Sequence, residues 1–346
     1  MIISKTPLRM SFMGGGSDLP SFYRQHGGLV VSTAIDKYIF INVNPKFDDG
    51  VRVSYSVTET VKSADQIRHP LVRASLKQLT IAGGIEITSI ADIPASGTGL
   101  GSSSAFTVGL LHALSAYQGI YKSAADLAQE ACRIEIDICG EPIGKQDQYA
   151  AAFGGFNTIE FHPNDTVSVS PVVCKPDTLR RFEDSILIFY TGQTRSASTI
   201  LRQQSKNSSD DQATIAALRT MVTLAGNFVS ALRTDNTELL GEIIHEGWLL
   251  KRGLSEGISD GGLDDLYARA RAEGATGGKL LGAGGGGFLM LLAPPDRHEA
   301  ICRALGSLRR VEMPFTRDGS KIIFYQPPAQ RSAVPAKAAA KSLVSG

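Results

Sequence analysis

Residues 94–105 read Pro-Ala-Ser-Gly-Thr-Gly-Leu-Gly-Ser-Ser-Ser-Ala, three alternating glycines followed by a run of serines. Gly97, Gly99 and Gly101, set around Leu100, allow positive φ or a close backbone approach to a ligand. Ser102, Ser103 and Ser104 suit a helix cap, and their hydroxyls can also face a phosphate or a metal ion. A β-rich run holding Ile85, Ile87 and Ile90 leads in through Pro94, and apolar residues from Phe106 to Tyr117 follow at helical length. Strand, glycine turn and helix start together offer free N–H groups and a positive helix end to an anion. The chemistry that fits is the holding of a nucleotide phosphate. A serine-capped helix after a flexible turn is the plainer alternative.

Other phosphate loops are excluded. No Gly-x-x-x-x-Gly-Lys-Ser/Thr occurs, and the nearest stretch, 140–146, is one residue short and lacks the hydroxyl. Gly282, Gly284 and Gly287 match a dinucleotide fingerprint in form, but Phe288-Leu-Met-Leu-Leu-Ala follows and reads as a strand where a helix is required. A second glycine cluster, Gly14-Gly15-Gly16-Ser17-Asp18, could meet a polyhydroxylated ligand through its backbone and carboxylate, or could simply be a connection. Asp147, near the start of a short helical stretch closed by Gly154 and Gly155, reads by itself as a charge favoured by the helix dipole.

Composition sets the frame. With 346 residues and 42% hydrophobic content the chain can bury a sizeable core, and two domains are expected. Lys plus Arg (35) balance Asp plus Glu (34), which points away from nucleic acid and anionic membranes. No signal peptide and no apolar run approaching a bilayer span stand out. Cys132, Cys139, Cys174 and Cys302 lack framework or metal spacing, and the six histidines are scattered singly. The expectation is a cytoplasmic enzyme with free thiols and no zinc site.

The elements that must position these residues follow from pattern. Strands are expected over 2–12 with a break at Pro7, over 29–43 with an interruption near Asp36-Lys37, and over 51–55. Helical spacing marks 63–80, and the Ser123–Asp126 start box opens a helix running to about Ile138, with Glu135 off the centre of its apolar stripe. The second half alternates strands at 185–190, 288–292, 311–315 and 321–325 with helices near 213–233, 237–253, 263–272 and 297–305. Trp248 reads as core. Domains are expected at 1–180 and 181–326, with a flexible tail at 327–346.

Three separated stretches then add up. Lys5-Thr-Pro-Leu-Arg-Met-Ser-Phe-Met-Gly-Gly-Gly-Ser-Asp18, the 94–105 loop and Lys279-Leu-Leu-Gly-Ala-Gly-Gly-Gly-Gly-Phe288 resemble, in order, the three motifs of the GHMP kinases. The run Ile143-Gly-Lys-Gln-Asp-Gln-Tyr-Ala-Ala-Ala-Phe-Gly-Gly155 looks most like the sugar-1-kinase branch acting on D-glycero-D-manno-heptose 7-phosphate. The resemblance implies an α+β fold of two domains, like ribosomal protein S5 domain 2 in the first half and ferredoxin-like in the second. It also implies ATP and Mg²⁺ as cofactors and a small sugar phosphate as partner, and it leaves room for a homodimer.

Carried over by position, Asp147 matches the catalytic aspartate, and Arg9 the cation beside it that pulls on the phosphoryl oxygens. Ser103 and Glu135 match the hydroxyl and carboxylate that hold Mg²⁺, although Glu130, Asp137 and Glu141 lie close by. By the same resemblance Pro94, Gly97, Gly99, Leu100, Gly101, Ser102, Ser103 and Ser104 form the phosphate cradle, and Gly284, Gly285 and Gly286 close a third loop over it. Galactokinase carries Glu-His-x-Asp after its first motif, and this chain does not, which leaves Gly15, Gly16, Ser17 and Asp18 facing a different sugar. A second anion site is expected at Arg195 and Ser196. The expected reaction is phosphorylation of the C1 hydroxyl of the heptose 7-phosphate, for nucleotide-activated heptose and surface polysaccharide. A fucokinase-like enzyme and a non-catalytic sugar- and ATP-binding regulator are the alternatives.

Overall fold

A computed structural model describes residues 1–93, 97–192 and 197–327, with backbone alone at 197–199 and 209–210. The chain opens on β1 (Ile2–Met13), passes through α1 (Pro20–His26), and returns along β2 (Gly28–Pro45). The two long strands pair antiparallel and bury Leu8, Met10 and Phe12 against Val30, Ile35 and Ile39. The break expected at Pro7 is instead a bulge. Pairing steps from Pro7–Tyr38 to Leu8–Ile35, which leaves Asp36 and Lys37 as extra residues on β2. Proline has no N–H for the ladder, and a bulge is where a sheet tolerates it.

Next come β3 (Val51–Ser54), β4 (Thr58–Val61), α2 (Pro70–Gln78) and β5 (Ile85–Ala91). The helix expected over 63–80 is shorter, because Pro70 fixes its first turn behind a separate 3-10 turn at Ala64–Gln66. Then α3 (Ser102–Tyr117), buried along most of its length, packs on β1 and β2. The helix α4 (Ala124–Cys132) starts with the expected box, Ser123 accepting from the Asp126 N–H and Asp126 from the Ser123 N–H. It does not continue as one α-helix to 138. From Arg133–Ile138 the backbone widens into a π-helical turn.

The elements α5 (Gln146–Phe153), β6 (Phe156–Phe161) and β7 (Val167–Pro171) lead to α6 (Pro176–Asp184). Both α1 and α6 escaped the sequence reading, yet each carries proline in its first turn, the signal that marks such starts. The second half runs β8 (Ile186–Tyr190), α7 (Ala197–Asp210), α8 (Gln212–Arg233), α9 (Leu239–Arg252) and α10 (Gly261–Ala272). It continues with β9 (Gly277–Leu280), β10 (Phe288–Leu292), α11 (His298–Ala304), β11 (Arg309–Arg310) and β12 (Lys321–Tyr325).

Among the described residues the strands form two sheets. The larger is ordered β12-β1-β2-β5-β3-β4, with β6 on β2 and β7 on β6. The smaller is the antiparallel set β11-β8-β10-β9. The strand expected at 311–315 is absent: β11 ends at Arg310, and Phe315 makes a single bridge to Ile35. Late as it is in the chain, β12 pairs with β1 in the larger sheet.

Phe12 at the end of β1 joins the two halves, its ring meeting Phe156, Phe182, Phe228 and Phe315 at centroid distances of 5.1–5.9 Å. Such offset and edge contacts add to area burial and fix the strand end that leads into the Gly14–Asp18 loop. Trp248 is buried, as expected of core. Among the described residues α8 is long and apolar enough to cross a membrane by length and composition, and half of its most apolar window is buried inside the protein. All four cysteines are free.

Candidate active site

Three chain segments meet at the end of β1. Arg9, 3% exposed, donates from Nε to Asp147 Oδ1 at 2.7 Å and from Nη2 to Oδ2 at 2.8 Å. This fork fixes both planes, so the carboxylate on the first turn of α5 cannot rotate independently of β1. The remaining nitrogen, Nη1, donates to the Gly99 carbonyl at 2.6 Å, and the Arg9 N–H donates to the Leu100 carbonyl at 3.0 Å. One arginine therefore ties the base candidate to the glycine loop. Gly101 lies against both, since a Cβ there would sit 3.2 Å from Arg9 Cγ and 3.3 Å from Asp147 Cγ.

Serines do not cap α3. Its N-cap is Gly101, left-handed at φ 73°, with no side-chain cap, and Ser102, Ser103 and Ser104 occupy the first turn. The leading N–H groups of a sixteen-residue helix are therefore free of a capping side chain, the arrangement that an anion completes. Ser103 donates to Glu135 Oε1 at 3.0 Å, and Gln148 Nε2 donates to Oε2 at 2.5 Å. The π-helical turn puts Glu135 there: one extra residue per turn swings a position that lay off the apolar stripe into a fully buried place under α3. Burial pushes its carboxyl up to about 7, against the pull of hydrogen bonds from Ser104, Gln148, Ser103 and Thr107.

A buried carboxylate beside a serine hydroxyl is a donor set of hard oxygens, and its uncompensated charge is what a divalent cation would balance. Among the described residues no three His, Cys, Asp or Glu side chains cluster, so the protein would supply only part of a coordination shell. That suits Mg²⁺, which keeps waters and takes phosphate oxygens.

Beside the Arg9–Asp147 pair lies a cleft lined by Ser11, Gly15, Gly16, Asp18, Gln146 and Gln204, among others. Asp18 accepts from the Gly16 N–H at 2.9 Å and the Gln146 N–H at 3.3 Å. Its carboxyl is raised, first by burial, with the Asp147 charge adding to the rise. Three buried polar atoms on this lining have no partner: Ser11 Oγ, Gln146 Oε1 and Gln204 Nε2. A hydroxyl, an acceptor and a donor left unmet around one cleft call for a ligand rich in hydroxyl groups.

Of the residues picked from sequence, Arg9, Asp147, Gly15, Gly16 and Asp18 share this cleft. Ser17 does not: it is buried, and its hydroxyl donates to the Gly14 carbonyl at 2.7 Å and accepts from the Leu29 N–H. The Gly284–Gly286 run lies elsewhere too, with Gly285 N–H donating to the Ile258 carbonyl at 3.0 Å. The third loop reaches the central one instead through Leu281, Gly282 and Gly287. Pro94, Arg195 and Ser196 lie outside the described residues, as does the tail from 328.

Sequence reasoning missed Ser11, Gln146, Gln204, Lys251 and Lys279, all of which line the cleft. Lys251 had a visible signal. It continues the inward stripe Gly241, Ile244, Gly247 and Trp248 of α9, where a lysine is out of place.

The family model for the GHMP kinases N terminal domain matches residues 63–155, and that for GHMP kinases C terminal matches 228–308. A D-glycero-alpha-D-manno-heptose 7-phosphate kinase of Campylobacter jejuni is 29% identical, the alignment covering 92% of this chain and 98% of the relative. The solved D-glycero-D-manno-heptose 1-phosphate kinase of Bacteroides thetaiotaomicron superposes with a TM-score of 0.77 at 27% identity, covering 92% of this chain and 98% of the other. A putative sugar kinase of Campylobacter jejuni superposes with a TM-score of 0.74 at 27% identity, covering 93% and 97%.

Proposed function

The chain belongs to the GHMP kinases, and on that premise we propose that it transfers the γ-phosphoryl group of ATP to the C1 hydroxyl of D-glycero-D-manno-heptose 7-phosphate. Membership carries the general statement that it is a phosphotransferase acting on an alcohol group. The finer one rests on the cleft. The observation that carries it is the set of orphaned polar atoms, Ser11 Oγ, Gln146 Oε1 and Gln204 Nε2, around the Arg9–Asp147 pair. A mevalonate-like acid would leave most of them unmet, whereas a sugar supplies several hydroxyls at once. The heptose is favoured by the name of the relative aligned along nearly the whole chain.

In this reading the nucleotide phosphates lie on the uncapped start of α3 and the glycine turn before it. Asp18, Gln146 and Gln204 hold the sugar. Asp147 accepts the proton of the attacking hydroxyl, and the Arg9 fork keeps its oxygens aimed while its guanidinium draws on the phosphoryl oxygens. Ser103 and Glu135 would hold Mg²⁺, which supplies charge neutralisation of the phosphates when bound. Charge stabilisation and positioning then make up most of the catalysis, as the loose transition state of phosphoryl transfer requires.

The test is ADP release from Mg-ATP across heptose 7-phosphate, mannose, fucose, galactose and mevalonate. Turnover confined to the heptose phosphate is expected. Faster turnover of fucose would replace the substrate and keep the mechanism, while ATP binding without turnover of any acceptor would favour a regulator.

A further inference from the structure

The inward face of α9 ends on a charge. Gly241 and Gly247 let the helix approach closely: a Cβ at Gly241 would lie 2.1 Å from Thr276 Oγ1, and one at Gly247 would lie 2.6 Å from the Met13 methyl carbon. One turn beyond Gly247, on the same face, Lys251 enters the cleft at 5% exposure. Its ammonium donates to the Gly282 carbonyl, a neutral partner. Lys279, also buried, donates to the Ser11 and Phe12 carbonyls at 2.9 and 3.0 Å. Arg9 is already paired with Asp147. The lining therefore gathers three basic side chains around two carboxylates, Asp18 and Asp147.

Buried lysine without a carboxylate is costly, and such sites persist where the charge has a use. Lys279 is held from two sides by backbone oxygens, whereas Lys251 spends one of three N–H donors on Gly282. Gln204, on the same cleft and 2% exposed, adds a donor with no acceptor. Unmet N–H donors of Lys251 and Gln204 thus line one cleft.

We propose that Lys251, on the cleft that Gln204 also lines, is an anion site that takes a phosphoryl group during the reaction. The inference rests on the kinase reading above and names the residue that reading lacks. The phosphoryl has two sources, the acceptor's own phosphate and the group in transfer. Both offer the same oxygens to an ammonium.

The experiment compares wild type, Lys251→Met and Lys251→Arg by calorimetry with inorganic phosphate, heptose 7-phosphate and unphosphorylated heptose, each without nucleotide, and by steady-state kinetics. Thermal melting is followed alongside. If the acceptor's phosphate is the ligand, Lys251→Met weakens heptose 7-phosphate at least tenfold and leaves the unphosphorylated sugar within twofold. If the transferred group is the ligand, acceptor affinity holds while kcat falls at least thirtyfold with the KM for ATP unchanged. Lys251→Arg recovers most of either loss. Affinity and kcat both within twofold of wild type in Lys251→Met would overturn the proposal. So would a rise in the KM for ATP with a matching drop in melting temperature, since that would mark Lys251 as a prop for the Gly282 loop. Lys251-dependent phosphate binding by a wild-type protein that phosphorylates no sugar would keep the anion site and remove the kinase reading.

Discussion

Gly99 and Gly282 stand backbone against backbone, so that a Cβ on Gly282 would lie 2.2 Å from the Gly99 Cα. A Cβ on Gly99 would in turn lie 2.2 Å from the Leu281 carbonyl oxygen. Two loops from opposite halves of the sequence are thus pressed together next to the Arg9 guanidinium, which donates to the Gly99 carbonyl. Both glycines hold positive φ, 78° in each case.

Gly99→Ala follows directly from this contact. The new methyl meets backbone that cannot step aside, in a conformation that an L side chain adopts with strain. A destabilisation of about 2–3 kcal/mol is expected from strain and overlap together, read as a lower denaturation midpoint. Nucleotide affinity should fall with it. A variant as stable and as active as wild type would mean that the loops separate freely.

Arg9→Lys tests the fork. Lysine keeps the charge but cannot hold both Asp147 oxygens and the Gly99 carbonyl in one plane. The expected loss in kcat is roughly 10²–10³-fold, the scale on which electrostatic groups of this kind act, with little change in melting temperature. Wild-type kcat in Arg9→Lys would assign Arg9 to charge alone.

Glu135→Gln separates metal from fold. In the folded chain the carboxyl titrates at about 7, raised by burial from 4.5. Between these values the folded state holds a proton that the unfolded state has lost, so stability falls as pH rises from 4.5 to 7. The amide variant should lack that decline, gaining up to ~3 kcal/mol on wild type near neutral pH without magnesium. It should also need at least tenfold more Mg²⁺ for half-maximal rate. Parallel stability curves for the two proteins across this range would place the titration elsewhere.

Lys251 gives a second pH dependence, in ligand binding rather than stability. Burial first, then the Arg9 charge, pushes its ammonium down to about 8, while Asp18 and Asp147 oppose the shift. Lys279 is the other basic group facing it, its own ammonium pushed well down by burial and by the Lys251 charge. The proton is lost as pH rises through 8, so from pH 7.5 to 9.5 heptose 7-phosphate affinity, if its own phosphate is the ligand, or kcat, if the transferred group is, should fall by about tenfold per unit at the top of the range. Lys251→Arg should flatten the profile. A wild-type profile already flat would show that the lysine stays protonated or out of reach.

Sequence spacing exposed the motif residues because each is a local device: the glycine turn before α3, the Ser123–Asp126 start box, and Asp147 at the head of α5. It also placed the interruption at Asp36-Lys37, though as a break rather than the bulge opposite Pro7. What it missed depends on distance. Ser11 and Gln204 gain meaning only where β1 and α7 line the same cleft, and nothing local marks either one. Glu135 comes from the family resemblance, with only register separating it from nearby acids, and the π-helical turn that buries it has no periodicity to read. The serines looked like caps because serine usually caps, yet glycine took that place and left the N–H groups open.

The most direct measurement is the ³¹P spectrum of heptose 7-phosphate incubated with Mg-ATP and the enzyme, with Asp147→Asn in parallel. The expected result is a second sugar-phosphate resonance coupled to the anomeric proton, growing as ATP is consumed and slowed by roughly 10²–10⁴-fold in the variant. A new resonance on any other carbon, or one that grows as fast in Asp147→Asn as in wild type, would contradict the C1 transfer and the role given to Asp147.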